Sequence, residues 1–330
     1  MPSDALTDLI RQAQCLLPRH VVEMRDFSRE ALTTTFQLAF ALSQSPRADC
    51  LQLCRGRNVA TLFYQPSTRT RLNFESAAYR LGATVVGFAD PATTRAGDYY
   101  RESLADVVQF TAQLVDLIVI RHHDTGAARE AASVSPVPVI SAGDGYGQHP
   151  TQALGDIWTM TRCLGDLSQA RIGLLGDVRI RSLKAISIGL ATLGVREIVY
   201  LPPRGTNLPE EVTQHLVANR VRFRQVDHVA QLLAETDLVE TIGVNHPNHG
   251  VVRDQSRSSQ HDDNSYYRIT RDTLTVAAAE GRCPFILHPG PRTDEVSTDV
   301  DGHPSAKYFD QARNGMWIRM ALLATQLADA

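Results

Sequence analysis

The first half of the chain alternates short apolar runs with stretches in which apolar residues recur every three or four positions. Runs such as Val59–Tyr64 are typical of buried strands, and the spaced stretches are typical of helices with one buried face. The pattern predicts strands at 59–64, 84–88, 117–120 and 137–141, and helices at 29–42, from 70 onward, at 103–113 and at 148–164.

A second series of strands and helices begins at Arg171. It predicts strands from 171, at 197–201, 222–225 and 238–242, and helices at 182–193, 209–218 and 230–235. Repeated strand, helix, strand units of this length imply right-handed crossovers and parallel sheets with helices on both faces. A chain of 330 residues fits two domains, each with its own core. The predicted fold class is therefore α/β, with two doubly wound parallel-sheet domains joined by interdomain helices.

Two later segments depart from this alternation. His246–Arg268 is rich in Asn, Asp, Ser, Gln, Arg and His and has almost no aliphatic residue, so we predict a mobile loop there. Met316–Leu327 has the pattern of an amphipathic terminal helix.

The overall composition excludes several classes of partner. The formal net charge is −3 and the pI is near 6.4, which gives no general electrostatic reason to bind nucleic acid or an anionic membrane. No apolar run reaches the roughly eighteen residues of a membrane span, and the first residues lack the features of a signal peptide. The five cysteines contain no Cys-x-x-Cys pair, which favours reduced thiols over zinc or disulfides. We expect a cytoplasmic protein whose partners are small molecules or proteins.

The most informative polar stretch is Pro66–Arg71, which stands between the predicted strand 59–64 and the helix after it. The first turn of a helix has backbone N–H groups without intrahelical partners and carries the positive end of the macrodipole. The hydroxyls of Ser67 and Thr70 and the guanidinium of Arg69 add donors that suit phosphate. The stretch therefore predicts a phosphate site, or, on a simpler interpretation, an ordinary helix cap with solvated arginines.

A second glycine-containing turn, Gly173–Val178, resembles the start of a dinucleotide-binding site. The remaining glycines of that fingerprint are absent from the sequence that follows. We therefore predict no nicotinamide cofactor.

Ser67–Arg71 and the helix after it resemble the carbamoyl-phosphate signature of the aspartate and ornithine carbamoyltransferase family. The resemblance extends from about His20 to Leu327, and Pro150 and Arg292 are of the aspartate type. The other matching runs, in family order, are Leu104–Asp106, Arg121–His122, Gly143–Gly145, Gln148–Asp156, Gly176–Asp177 with Arg181, His288–Arg292 and Asp294–Asp301.

The resemblance implies different tasks for the two domains. Residues 1–148 would form the carbamoyl-phosphate-binding domain, with the C-terminal helix 307–330 packing back on it, and residues 149–306 would bind the acceptor. The implied activity is transfer of the carbamoyl group of carbamoyl phosphate to an amine, with release of phosphate. The resemblance implies neither a metal nor a cofactor.

The resemblance also assigns roles on the donor side. Thr70, Arg121 and His149 would direct hydrogen-bond donors at the carbonyl oxygen. Gln152 and the backbone carbonyls around Pro289 and Gly290 would accept from the carbamoyl NH2. Taken singly, His149 also fits a helix-start residue, Arg121 a strand-end charge and Gln152 an exposed helix residue. The implied carbamoyl-phosphate-binding residues are Ser67, Thr68, Arg69, Thr70, Arg121, His149, Gln152, Pro289 and Gly290, of which Arg69, Thr70, Arg121, His149 and Gln152 are the catalytic ones.

The predicted acceptor side departs from the family pattern. Arg181 matches one of the two arginines that bind the carboxylates of aspartate in relatives, but Gly243 occupies the place of the other, two residues before Asn245. A carboxylate placed there would lose a bidentate, charge-assisted contact, worth about 2–5 kcal/mol when desolvated. Aspartate is therefore a poor fit to this sequence.

A second departure falls between residues 91 and 101. Relatives carry a pair of lysines there, on a loop that reaches the site of a neighbouring subunit, whereas this chain has Tyr100 and Arg101. Arg95 or Arg101 is a candidate replacement for the missing cation. The predicted acceptor-binding residues are Arg181, Gly243, Asn245, Tyr100 and Arg101.

Three interpretations follow. The main one is a carbamoyltransferase whose acceptor is a carboxylate-bearing amine other than aspartate. The alternatives are an authentic aspartate carbamoyltransferase with compensating residues, and a non-catalytic paralogue that assembles with another enzyme. In each case the resemblance implies a homotrimer or a higher assembly with sites shared between subunits.

Overall fold

The computed structural model describes residues 4–96, 101–243 and 266–329. The chain forms two compact units, Met1–Trp158 with Arg313–Ala330, and Thr159–Ala312. Each unit contains one sheet in which every strand pair is parallel, with four strands in the first unit and five in the second. The predicted α/β fold class with two parallel-sheet domains is therefore confirmed.

The first unit begins with two helices and then alternates strands with helices. Its strands are β1 (Asn58–Phe63), β2 (Thr84–Phe88), β3 (Leu117–His122) and β4 (Val139–Asp144). Its helices are α1 (Asp4–Leu16), α2 (Arg29–Gln44), α3 (Arg47–Cys50), α4 (Thr68–Arg80), α5 (Leu104–Thr111) and α6 (Ala127–Val134), and α7 (Pro150–Leu164) follows β4.

The strand order in this sheet is β2-β1-β3-β4. The chain moves outward from β1 to β2 and then returns to the other side of β1 to form β3. This reversal leaves a crevice at the carboxyl ends of β1 and β3, which is where open parallel sheets bind their ligands. Phe63 pairs with Arg121 at that edge, and the N–H of Tyr64 donates to the carbonyl of Arg121 at 2.8 Å.

The second unit repeats this design with an additional strand. Its strands are β5 (Arg171–Leu175), β6 (Glu197–Leu201), β7 (Arg222–Gln225), β8 (Leu238–Thr241) and β9 (Phe285–Leu287), in the order β7-β6-β5-β8-β9. The order reverses between β5 and β8, so the ligand crevice of this sheet lies at their carboxyl ends. The helices that follow α7 are α8 (Arg181–Leu193), α9 (Glu210–Ala218), α10 (Val229–Glu235), α11 (Arg271–Ala279) and α12 (Tyr308–Leu327).

Two helices carry the chain across the boundary between the units. The boundary falls after Trp158 in α7 and after Ala312 in α12, so both crossings are made by continuous helix. The apolar pattern predicted the second of these helices only from residue 316, whereas the family resemblance implied a helix over 307–330; it spans Tyr308–Leu327. Within the described residues, no helix combines the length and apolar character that crossing a bilayer requires.

The structure corrects one prediction about a loop. Residues 246–265 of the predicted mobile segment lie outside the described residues, but its end is packed. Tyr267 is only 2% exposed, belongs to the core of the second unit, and donates its hydroxyl to Asp294 at 2.7 Å. The prediction was wrong for this residue. Its neighbours in the sequence are mostly polar, so the sequence pattern does not show that Tyr267 packs into a core.

Gly176 has a backbone conformation and a close contact that only glycine tolerates. It follows β5 with φ +127°, and a Cβ there would lie 2.3 Å from Cγ2 of Ile242, the residue that follows β8. The two strand ends can approach each other at the crevice because position 176 has no side chain.

Replacing Gly176 with alanine should therefore lower the free energy of unfolding by about 2–4 kcal/mol, since backbone strain and a steric clash add. Gly205→Ala is the matched control, because Gly205 has φ +75° but open space around it, and about 1 kcal/mol is expected there. Urea titrations of both variants measure the difference. Equal losses would show that the contact with Ile242 is not tight.

Candidate active site

The predicted phosphate turn lies between β1 and α4, and its position on a strand-to-helix turn is confirmed. Ser67 is the N-cap of α4, with extended backbone, and its Oγ accepts from the N–H of Thr70 at 3.4 Å. The sequence predicted the helix from Thr70, but it begins at Thr68 because Ser67 supplies the cap. The side chains of Thr68 and Arg69 are exposed. The first turn thus presents backbone N–H groups, hydroxyls and a guanidinium to an anion.

Three further donor-side residues lie at the same edge of the first sheet. Thr70 and His149 are each 5% exposed, and Thr70 Oγ1 lies 3.5 Å from His149 Nε2. Arg121, at the carboxyl end of β3, donates from Nη1 to the carbonyl of Ala142 at 3.1 Å. The structure therefore brings Thr70 into contact with His149 although 79 positions separate them.

The loop that delivers His149 is fixed by a buried carboxylate. Asp144 accepts from the N–H of Gly126 at 2.9 Å and from the N–H of Gln148 at 3.3 Å. Gln148 in turn accepts from the N–H of Met24 at 2.8 Å. These bonds hold the backbone before α7, so the imidazole of His149 is positioned by the fold.

Gln152 lies in the first turn of α7, one turn after His149. Its Nε2 donates to Oδ1 of Asp156 at 2.7 Å, and Asp156 has no exposed surface. Asp156 acts electrostatically on Arg319 of α12, which is also buried. Burial lowers the pKa of Arg319 to about 10 while the charge of Asp156 acts to raise it, so the guanidinium is a cation at neutral pH.

Sequence reasoning assigned no role to Asp156 or Arg319. The spacing from Gln152 to Asp156 is four residues, the separation at which side chains of a helix meet, and this signal is present in the sequence. A second signal is Arg319 itself, which lies inside the apolar pattern of the C-terminal helix. A buried arginine usually has a charged partner, so this position indicates a buried carboxylate nearby.

In the second unit, the run that contains Pro289 and Gly290 is held by a buried hydrogen-bond network. His288 Nδ1 accepts from the N–H of Gly290 at 2.7 Å, so Nε2 carries the proton and donates to Glu295 at 2.5 Å. The N–H of Thr293 also donates to Glu295, at 2.9 Å. The backbone around Pro289 and Gly290 is therefore fixed from inside the unit.

The predicted acceptor residues of the second unit stand at the crevice between β5 and β8. Arg181 is the first residue of α8 and is 6% exposed. Gly243 is buried, two residues beyond the end of β8, and presents no side chain. Asn245 and Tyr100 lie outside the described residues, and Arg101 is exposed on the first unit.

One group of side chains among the described residues has the spacing of a metal site. It consists of His122, His123 and Asp124, which follow directly from Arg121. Nδ1 of His122 already accepts from the N–H of Asp124 at 3.0 Å, and burial, followed by the charge of His123, lowers the pKa of His122. The bonded nitrogen is therefore unavailable to an ion, which does not favour a metal at this place.

Comparison with known sequences decides the family. A sequence model described as the aspartate/ornithine carbamoyltransferase carbamoyl-P binding domain matches residues 19–162, and one described as the Asp/Orn binding domain matches residues 168–326. The chain belongs to this family. The family predicted from the sequence is thereby confirmed.

Individual relatives agree with this assignment over nearly their full lengths. The aspartate carbamoyltransferase catalytic subunit of Clostridium novyi is 36% identical over 310 residues, which cover 94% of this chain and 98% of the relative. The catalytic subunit of Thermococcus onnurineus is 37% identical over 314 residues, which cover 94% of this chain and 97% of the relative. Among solved structures, aspartate transcarbamoylase from Trypanosoma cruzi in complex with carbamoyl phosphate has a TM-score of 0.87 and 28% identity, covering 97% of this chain and 100% of that chain.

The Glu295 network gives a pH dependence of stability. Burial alone raises the pKa of Glu295, but hydrogen bonds from His288 and Thr293 outweigh it and bring the pKa from 4.5 down to about 2. A lowered folded-state pKa adds stability above pH 4.5, and this contribution is lost as the pH falls towards 2.

The stability advantage of the wild type over Glu295→Gln should therefore shrink by about 1 kcal/mol between pH 6 and pH 3.5, since about one pKa unit of the shift is lost over that range. Urea titrations at the two pH values measure this change. Glu280→Gln, at an exposed position after α11, is the control for general acid effects. An advantage that is the same at both pH values would contradict the assigned charge state.

Proposed function

We propose that the protein transfers the carbamoyl group of carbamoyl phosphate to an amine that carries one carboxylate and is not aspartate. Membership of the family supports carbamoyl transfer. The observation that carries the donor half is the contact of Thr70 Oγ1 with His149 Nε2 at 3.5 Å, beside the phosphate turn at Ser67. It places two hydrogen-bond partners next to a helix N-terminus, as transfer from an acyl phosphate needs.

The reaction begins when the acceptor nitrogen attacks the carbamoyl carbon. Negative charge then develops on the carbonyl oxygen, where Thr70, Arg121 and His149 supply donors, and such donors stabilise the tetrahedral intermediate. The C–O bond to phosphate breaks, the proton that the attacking nitrogen gives up is taken by the phosphate, and the departing phosphate is held by the α4 N-terminus and Arg69. The products are the N-carbamoyl amine and inorganic phosphate.

Gly243 is the observation that carries the acceptor half of the proposal. Relatives bind the two carboxylates of aspartate with two arginines. Arg181, at the crevice between β5 and β8, matches one of them, and Gly243 stands in the place of the other without a charge. An acceptor with a second carboxylate would have to bury that group without the guanidinium that relatives provide, which is costly. An amine with a single carboxylate avoids this cost.

Aspartate is the second candidate acceptor. It is favoured by the names of the relatives, which are aspartate carbamoyltransferases, and by a Trypanosoma cruzi structure with carbamoyl phosphate and aspartate that has a TM-score of 0.82 and 28% identity. The resemblance to these relatives also supports a homotrimer with shared sites as part of the proposal. Arg95 and Arg101 are both described and exposed, and they are the arginines of the segment that would then reach a neighbouring subunit.

The purified protein, given carbamoyl phosphate, should release phosphate faster when a suitable amine is present. A panel of aspartate, ornithine, monocarboxylate amino acids and simple amines, with mass spectrometry of the products, identifies the acceptor. The highest kcat/KM is expected for an amine with one carboxylate. The highest value with aspartate would establish the second candidate instead, and tight binding of carbamoyl phosphate without turnover of any amine would support a non-catalytic paralogue.

Restoring a guanidinium at position 243 should increase the use of aspartate. Gly243→Arg is expected to raise kcat/KM for aspartate at least about tenfold. A desolvated charge-assisted hydrogen bond contributes about 2 kcal/mol or more to binding, and a tenfold change corresponds to about 1.4 kcal/mol. Gly243→Met adds similar bulk without charge and is the matched control. If both folded variants behave alike toward aspartate, the missing charge at this position does not set acceptor choice.

A further inference from the structure

We propose that Asp156 is a positioning residue that fixes the amide of Gln152 and thereby selects a carbamoyl over an acetyl donor. This inference rests on the proposed function, because it concerns how the same donor is recognised. It starts from the 2.7 Å hydrogen bond between Gln152 Nε2 and Asp156 Oδ1 within the first unit.

The bond determines which end of the Gln152 amide is available to a ligand. An ionised carboxylate can only accept hydrogen bonds, so the amide must turn its NH2 group toward Asp156. The carbonyl oxygen of Gln152 then points to the other side. Gln152 thus offers an acceptor, which suits the NH2 of a carbamoyl group, whereas the methyl of an acetyl group has no proton to donate.

The positive charge of Arg319 favours the ionised form of Asp156, although the carboxylate is completely buried. Both side chains lie in the core of the first unit, and the guanidinium is a cation at neutral pH. A buried carboxylate without such a partner would favour its neutral form, which can donate as well as accept. The charge of Arg319 therefore favours the orientation in which the NH2 of Gln152 faces Asp156 and its carbonyl oxygen can accept from the carbamoyl NH2.

The same arginine connects this arrangement to the phosphate turn. Arg319 Nη1 donates to Oδ1 of Asn73 at 3.1 Å and to the carbonyl of Gly315 at 2.9 Å. Asn73 belongs to α4, three residues after Thr70. Arg319 thus links the two helices: it is hydrogen-bonded to Asn73 on the helix that would hold the phosphate, and it interacts electrostatically with Asp156 on the helix that carries Gln152.

Two stable phosphonates test the inference without an acceptor. Phosphonoacetamide carries the amide NH2 of carbamoyl phosphate, and 2-oxopropylphosphonate has a methyl group in its place. Calorimetric titration gives the ratio of their dissociation constants. Asp156→Asn should reduce the preference for the amide by roughly tenfold, since Asn has a single acceptor oxygen, for which Arg319 competes, and its NH2 would face Gln152.

Two further variants separate positioning from a general loss of structure. Asp116→Asn removes a carboxylate that accepts from the N–H of Asn58 at the opposite edge of the sheet, and it should leave the ratio unchanged. In a Gln152→Ala background, Asp156→Asn should cause no further change in the ratio, because Asp156 acts through Gln152. An unchanged ratio in Asp156→Asn, or an equal loss of affinity for both phosphonates, would overturn the inference.

A structure of the wild type with phosphonoacetamide covers the case in which Asp156→Asn does not fold. The Gln152 amide should lie between Asp156 and the NH2 of the probe, and a Gln152 turned away from Asp156 would also overturn the inference. The proposed function fails differently. If the wild type binds neither phosphonate, the assigned donor is wrong, and the role of Asp156 falls with it.

Discussion

Parallel pairing of strands is the constraint on which the rest of this structure depends. A parallel sheet directs all its carboxyl ends to one edge, and the reversal of strand order beside β1 and beside β5 leaves one crevice in each sheet. In the first unit the candidate donor-side residues stand at or just after the carboxyl ends of β1, β3 and β4, and in the second unit the candidate acceptor-side residues follow β5 and β8. The strand order therefore determines where along the chain the candidate residues must lie, and the loop sequences determine which side chains are found there.

Much of the fold was predictable because parallel strands buried on both faces leave continuous apolar runs. β9 was missed because only three residues, Phe285–Leu287, form it, and α6 was missed because its alanine-rich pattern is weak. The strand-to-helix turn at Ser67 was predictable because it depends on local features, namely a cap and a helix N-terminus. The role of Asp156 was not predictable in this way, since its partner Arg319 lies far along the chain and only folding brings the two charges together.

The two units differ in how their chemistry is supported. In the first unit, buried groups support three of the candidates: the carbonyl of Ala142 accepts from Arg121, Asp144 holds the loop before His149, and Asp156 accepts from Gln152. In the second unit, the network around His288 and Glu295 fixes backbone, while position 243 contributes no side chain at all. With the proposed roles, this distribution would fix the geometry of the donor more tightly than that of the acceptor. Family membership is thus a stronger guide to the group transferred than to the molecule that receives it.

The hydrogen bond from Arg121 to the carbonyl of Ala142 has a consequence for the thermodynamics of binding. A free arginine side chain loses roughly 2 kcal/mol of conformational entropy when it is immobilised. Here one arm of the guanidinium is anchored by the neighbouring strand end, so part of that loss occurs when the chain folds. The anion proposed for this site would meet a cation that is already oriented, and more of the charge attraction would remain as net affinity.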